Sequence, residues 1–146
     1  MEQLTLASAN TIVNSALSYA RQLDLAPLAV VVDAAGCPVA MQREDGSTLL
    51  RPQIAQAKAW GAVAMGMPSR ALGVIAAERP AFMNSLVALA DGKMAPVPGG
   101  VLIRAHGGRL LGAVGVSGDL SDRDEACAIA GIHAAGLLAD PSAAAI

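Results

Sequence analysis

The segment RLLGAVGVSGDLSDRDEACAIAG, residues 109–131, carries the strongest structural pattern in the chain. Its apolar run 110–116 predicts a buried β-strand, which ends at Ser117 and Gly118. A short acidic turn follows, and a helix is predicted to begin at Ser121. A strand that leads through a glycine turn into a helix can build either a binding site or part of the core.

The start of this helix is acidic, because Asp122, Asp124 and Glu125 fall within four residues. Ser121 and Asp124 have the spacing of a capping box. Further along, the apolar stripe of the helix includes His133, which we therefore expect in the core rather than at a ligand. The carboxylates at the helix start are candidates for acid/base or ion-pairing roles.

The composition predicts a single domain, residues 1–146, that associates with copies of itself. Hydrophobic residues make up 54% of the chain and charged residues only 15%. These few charged residues can cover only part of the surface of a domain of this size. Burial of the remaining apolar surface between identical subunits accounts for the excess of hydrophobic residues.

The composition also argues against several classes of protein. The net charge of −2 and the scattered basic residues give no basis for nucleic-acid binding. No apolar run is long enough to span a membrane. The first ten residues lack the features of a signal peptide, so we expect a cytoplasmic protein. Cys37 and Cys127 are too far apart for a metal site and are predicted to be buried, reduced thiols.

The order of elements predicts an α+β fold with a mainly antiparallel sheet of four or five strands. The predicted elements are a helix over 5–23, a hairpin over 28–42, a helix over 50–65, helical pieces over 67–91, a hairpin over 101–116, a helix from 121 and a frayed tail over 139–146. Thr5 is the expected N-cap of the first helix. Asp33 is expected to form the turn of the first hairpin rather than to act as a catalytic acid.

Two further features bear on function. Lys58 shares a stripe of the second long helix with small and apolar residues, so it either extends to water or pairs with a carboxylate of 122–125. The loop 94–100, MAPVPGG, ends in Gly99 and Gly100. Their backbone N–H groups can approach a ligand oxygen, or the loop is a plain connector.

Taken in order, several motifs resemble those of the GlcG/HbpS/PduO C-terminal-domain family of haem-binding or haem-degrading-like proteins. The motifs are VVVDAAG (30–36), Arg43 with Asp45-Gly46, Lys58-Ala59, PVPGGV (96–101), GAVGVSG (112–118), Asp124-Glu125 and Ala130-Gly131. The resemblance implies a profilin-like fold with a five-stranded antiparallel sheet and flanking helices. It also implies homo-oligomers such as hexamers or octamers, and haem or another tetrapyrrole as a ligand in some relatives.

The first functional hypothesis is a small-molecule-binding protein whose pocket lies between subunits. Lys58, Gly99, Gly100, Ser117 and the start of the last helix would form that pocket, and the ligand would be haem or a small organic acid. No metal site other than haem iron is predicted.

The alternative hypothesis is an enzyme acting on a small oxygenated catabolic intermediate, such as an isomerase, tautomerase, hydrolase or lyase. Lys58 with Asp124 or Glu125 would transfer protons. The N–H groups of Gly99 and Gly100 would stabilise an oxyanion, and the substrate carboxylate would be held by a guanidinium, that of Arg43 or Arg51. A third hypothesis is an oligomeric scaffold in which Lys58 and Glu125 form only an intersubunit ion pair.

Overall fold

The computed structural model describes residues 2–141 of the chain. The elements in order are α1 (Leu6–Gln22), β1 (Ala29–Ala34), β2 (Cys37–Arg43), α2 (Arg51–Met65), α3 (Ser69–Glu78), α4 (Pro80–Leu89), β3 (Gly100–Arg104), β4 (Leu110–Ser117), α5 (Ser121–Ala134) and β5 (Leu138–Asp140). The five strands form one sheet in the order β2-β1-β4-β3-β5, and all neighbouring strands are antiparallel. The predicted α+β fold with a five-stranded antiparallel sheet is confirmed.

One face of the sheet packs against α1 and α5. Alternate residues of the two central strands, Val30 and Val32 on β1 and Val114 and Val116 on β4, enter this side of the core. Because side chains alternate across a strand, neighbours such as Ala29 on β1 and Ala113 on β4 point to the opposite face. There α2 packs across β1, β4 and β3.

The contact between α2 and β4 is unusually close because β4 carries Gly115. A Cβ atom built on Gly115 would lie 1.8 Å from the carbonyl oxygen of Ala55. Any side chain at this position would therefore push the helix away from the sheet. The closeness of α2 brings the side chains of its inner face to the ends of the strands, where the candidate site lies.

Local predictions at the first helix and the first hairpin are confirmed. The Thr5 hydroxyl accepts the Ser8 N–H at 3.1 Å and caps α1. The buried Asp33 carboxylate accepts the Gly36 N–H at 2.8 Å and closes the hairpin turn. Asp33 is also held by the amide of Gln56, which donates to its other oxygen at 2.6 Å.

Three expectations at α5 and beyond are wrong. No side chain caps α5, whose N-cap is Leu120, because the Asp124 carboxylate is turned towards other donors. His133 is exposed, because the phase of α5 buries Cys127, Ala128 and Ile132 instead. Residues 139 and 140 of the predicted tail are not frayed but pair with β3, and its residues 142–146 lie outside the described residues.

Cys37 also departs from its prediction. It is exposed, because it begins β2, which lies at one edge of the sheet. Cys127 is buried as predicted, and burial raises the pKa of its thiol to about 12. The two thiols therefore differ sharply in their accessibility to solvent.

Candidate functional site

The candidate site is centred on a lysine that is buried near one end of the sheet. Lys58 lies on the inner face of α2 and is only 2% exposed. Its ammonium group donates to the carbonyl oxygen of Val116 at 2.8 Å and to Oδ2 of Asp124 at 3.3 Å. Lys58 thus connects α2, on one face of the sheet, to the start of α5 on the other.

Two glycines leave the space through which this side chain passes. Gly99 has φ +127°, and a Cβ atom on it would lie 2.8 Å from the Lys58 Nζ. A Cβ atom on Gly100 would lie 2.3 Å from the carbonyl oxygen of Lys58. The Gly100 N–H already donates to the hydroxyl of Ser69 at 2.7 Å, so in this structure it is not directed at a ligand.

Asp124 is held from several directions. Besides Lys58, the backbone N–H of Asp119 donates to its carboxylate at 2.9 Å. Burial raises the pKa of Asp124, although the charge of Lys58 and these hydrogen bonds act against the rise. Burial also lowers the pKa of Lys58, more than the neighbouring Asp124 raises it. Burial thus brings the pKa values of Lys58 and Asp124 closer together than they are in water.

Glu125 belongs to a different ion pair. Its carboxylate accepts from the Nε and Nη2 of Arg70 at distances of 3.0 to 3.2 Å, and Arg70 also pairs with Asp122. Glu125 is therefore paired with Arg70 and not with Lys58. Arg70 is absent from the predicted site residues, because no local pattern links α3 to a carboxylate 55 residues away.

Arg51 and Ser117 meet at the same end of the sheet. The Nη1 of Arg51, at the first residue of α2, donates to the buried Ser117 hydroxyl at 3.3 Å. Within residues 2–141, no carboxylate lies within 4.0 Å of this guanidinium. Arg51 is close enough to Lys58 to contribute to the lowered pKa of the lysine.

Arg43 lies in the same row of paired residues across the sheet as Ser117. Ala29 on β1 is paired with Arg43 on one side and with Ser117 on the other. Residues in one row share a face of the sheet, so Arg43 projects towards α2, about 10 Å from Ser117 along the sheet. Arg43, Arg51 and Ser117 together form what we call the basic row.

A cavity of about 750 Å³ lies apart from these residues, between the first hairpin, α2 and the segment after α4. It is lined by Gly36, Pro38, Met41, Pro52, Gln53, Gln56, Ala57, Trp60, Asp91, Gly92 and Lys93. None of the predicted site residues lines it. Lys58, Gly99 and Gly100 are instead packed against one another, so they form no open pocket within one described chain.

No helix between residues 2 and 141 is both long enough and apolar enough to cross a membrane. The same residues contain no group of three or more His, Cys, Asp or Glu side chains that could hold a metal ion.

Comparisons with known proteins agree with the fold. The family model described as "Haem degrading protein HbpS-like" matches residues 4–133. A crystal structure of a PduOC:heme complex is 26% identical, covers 95% of this chain and 99% of that chain, and has a TM-score of 0.83. A crystal structure of HbpS is 25% identical, covers 91% and 90% respectively, and has a TM-score of 0.76.

A third structure shows similarity in fold alone. The Klebsiella pneumoniae protein ORFY is 23% identical, with 93% of each chain covered and a TM-score of 0.81. A comparison with curated protein sequences found no match.

Proposed function

The chain belongs to the HbpS-like family, and from this premise we propose that it binds a small organic anion through a carboxylate group at the basic row. Arg51 would hold the carboxylate, and the Ser117 hydroxyl would donate a hydrogen bond to it. Arg43 would contact a second acidic group of the same ligand.

The observation that carries this proposal is that the Arg51 guanidinium has no carboxylate partner within residues 2–141. This guanidinium is half-buried, and the hydroxyl of Ser117 is its only side-chain partner within residues 2–141. A guanidinium has five N–H donors and pairs best with a planar carboxylate, through two parallel hydrogen bonds. A half-buried arginine with one neutral partner can therefore bind a carboxylate by donating hydrogen bonds to it.

The neighbouring charges favour an anion at Arg51. Asp124 is engaged by Lys58 and by backbone N–H groups, and Glu125 is engaged by Arg70. The first turn of α2 contains no acidic residue. The positive charge of Arg51 is thus not cancelled by a carboxylate in its own part of the structure.

A ligand carboxylate could come from a small organic acid or from the propionate groups of haem. The basic row fits the acidic groups of either ligand. The basic row itself contains no histidine. Of the two histidines of the chain, His106 is exposed with its Nδ1 2.7 Å from a carboxylate oxygen of Glu2, and His133 is exposed on α5. The residues of the row therefore fit the propionates but supply no histidine to haem iron.

A second subunit would complete the site. Leu49 and Leu50, directly before Arg51, are 84% and 57% exposed. Exposed leucines beside a half-buried arginine favour a subunit contact at this place, with the ligand enclosed between two chains. Native mass spectrometry is expected to give an oligomer such as a hexamer or octamer. A monomer at micromolar concentration would contradict this part of the proposal.

Titrations with defined acids test the binding function. We expect glycolate, succinate or citrate to bind saturably in calorimetric titrations, and Arg51→Gln to weaken the binding. Hemin is titrated in parallel and followed by its Soret band. Binding of hemin that is lost in Arg51→Gln identifies the propionates as the source of the carboxylate, whereas binding of neither acid nor hemin contradicts the proposal.

The second candidate function is acid/base catalysis by Lys58 and Asp124. It is favoured by the burial of this pair, which brings the two pKa values towards each other. The carboxylate of a substrate held at Arg51 would bring its reacting carbon near the lysine. Once a converted acid is found, Lys58→Met is expected to abolish turnover while leaving binding of the acid, and unchanged turnover would exclude the mechanism.

A further inference from the structure

We propose that the cavity beside Trp60 is a second ligand site, which takes a planar aromatic carboxylate. The ring of the ligand would lie against the indole of Trp60, and its carboxylate would pair with Lys93. None of the residues of the basic row lines this cavity. Ligand binding in this cavity is therefore independent of the function proposed above.

The walls of the cavity suit a flat ring. Trp60 is half-buried on α2, and the cavity is otherwise lined mainly by prolines, small residues and the thioether of Met41. Gly36 of the first hairpin lies directly against the indole, where a Cβ atom would be 3.2 Å from Nε1. Aromatic rings and thioethers are favourable neighbours of an aromatic ligand.

The polar groups of the cavity favour an anionic substituent. The Lys93 ammonium group lies 5.5 Å from the centre of the Trp60 ring. Within residues 2–141, no carboxylate lies within 4.0 Å of that ammonium, although Asp91 also lines the cavity. A cation above one face of an indole is well placed to bind the carboxylate of a ring that stacks on the same indole.

Two amide side chains and the indole N–H complete the site. Gln56 is fixed in position because its amide nitrogen donates to Asp33 at 2.6 Å. The side-chain amide of Gln53 and the indole N–H of Trp60 make no hydrogen bond to any residue between 2 and 141. Both are thus available for polar substituents on the ligand. A cavity that is mainly apolar with a few convergent polar groups is typical of small-molecule sites.

The single tryptophan of the chain allows a direct test. In a nitrogen-15-labelled sample the indole N–H of Trp60 gives one signal. We expect 2-naphthoate to shift this signal saturably, and the neutral 2-naphthalenemethanol and the non-aromatic cyclohexanecarboxylate to bind at least about threefold more weakly. Lys93→Gln should weaken 2-naphthoate about three- to tenfold, the effect of one partly exposed charge, and leave 2-naphthalenemethanol unchanged.

Arg21→Gln is the matched control, because Arg21 is equally cationic but lies on α1, on the opposite face of the sheet. It should leave the affinity for 2-naphthoate unchanged. The proposal is overturned if 2-naphthoate causes no saturable shift, if cyclohexanecarboxylate binds equally well, or if Lys93→Gln weakens the charged and the neutral naphthalene compounds to the same extent.

Discussion

Separating Lys58 from Asp124 is the perturbation whose consequences the structure defines best. In Lys58→Met the Asp124 carboxylate remains buried without its cation, and in Asp124→Asn the ammonium remains buried without its anion. Removing one partner of a buried ion pair costs about 3–5 kcal/mol of unfolding free energy. The exposed pair of Arg21 and Glu44, in which the arginine side chain is 63% exposed, serves for comparison. Arg21→Gln is expected to cost about 1 kcal/mol or less.

The two variants should respond to pH in opposite directions. In Lys58→Met, burial raises the pKa of Asp124 above its ordinary 3.8. Above pH 3.8 the unfolded chain therefore loses the Asp124 proton before the folded chain does. The loss of stability is therefore smallest in acid and grows as the pH rises. In Asp124→Asn, burial lowers the pKa of Lys58 below 10.5, and the unfolded chain binds more protons. Its loss of stability shrinks as the pH rises towards 10.5.

Urea unfolding of the two single variants and the double variant at pH 5, 7 and 9 tests both statements. The double variant should be more stable than the sum of the single effects predicts, by about 2 kcal/mol or more, because neither group is then left unpaired. Losses below about 1 kcal/mol in both single variants, or parallel pH dependences, would refute the assignment of a buried, coupled pair.

Three further predictions concern packing, capping and thiol reactivity. Gly115→Ala should destabilise the fold by about 3 kcal/mol or more, since its methyl group meets the backbone of α2, whereas Gly107→Ala, with nothing within 4 Å, should be nearly neutral in urea unfolding. Thr5→Ala should cost about 1 kcal/mol in the same assay through loss of the α1 cap, and no loss would contradict the cap. Thiol labelling at pH 8 should modify one thiol per folded chain, at the exposed Cys37, because burial raises the pKa of Cys127 to about 12. Rapid labelling of both thiols before unfolding would be inconsistent with this difference.

Much of the fold follows from local patterns in the sequence. Apolar runs bounded by turn residues predicted both hairpins, and apolar residues at helical spacing predicted the long helices. Thr5 caps α1 and Asp33 closes the hairpin turn, as their local sequence indicated. The errors arose where tertiary contacts override the local signal. Asp124 has the spacing of a capping residue but is oriented towards Lys58. The face of α5 that packs in the core carries Cys127, Ala128 and Ile132, which leaves His133 exposed. The strand at 138–140 is too short to give a pattern of its own.

The candidate site was predictable in part. The position of Lys58 on a stripe of small and apolar residues left two alternatives, extension to water or pairing with a carboxylate of 122–125. The structure shows the second, with Asp124 as the partner. Arg70 was missed because its pairing with Glu125 depends on how α3 packs. The ligand roles of Gly99 and Gly100 stay predictions, since the glycine pattern alone does not distinguish close backbone packing from oxyanion binding.

Whether Arg51 holds the ligand is decided by the dissociation constant of the tightest-binding organic acid, measured for the unmodified chain, for Arg51→Gln and for Arg21→Gln. Losing one charge-assisted hydrogen bond to a carboxylate corresponds to about 1.5–3 kcal/mol, or roughly ten- to 150-fold in affinity. We predict a loss of this size in Arg51→Gln and none in Arg21→Gln. Equal affinities of all three proteins would contradict the claim that Arg51 holds the carboxylate of a ligand.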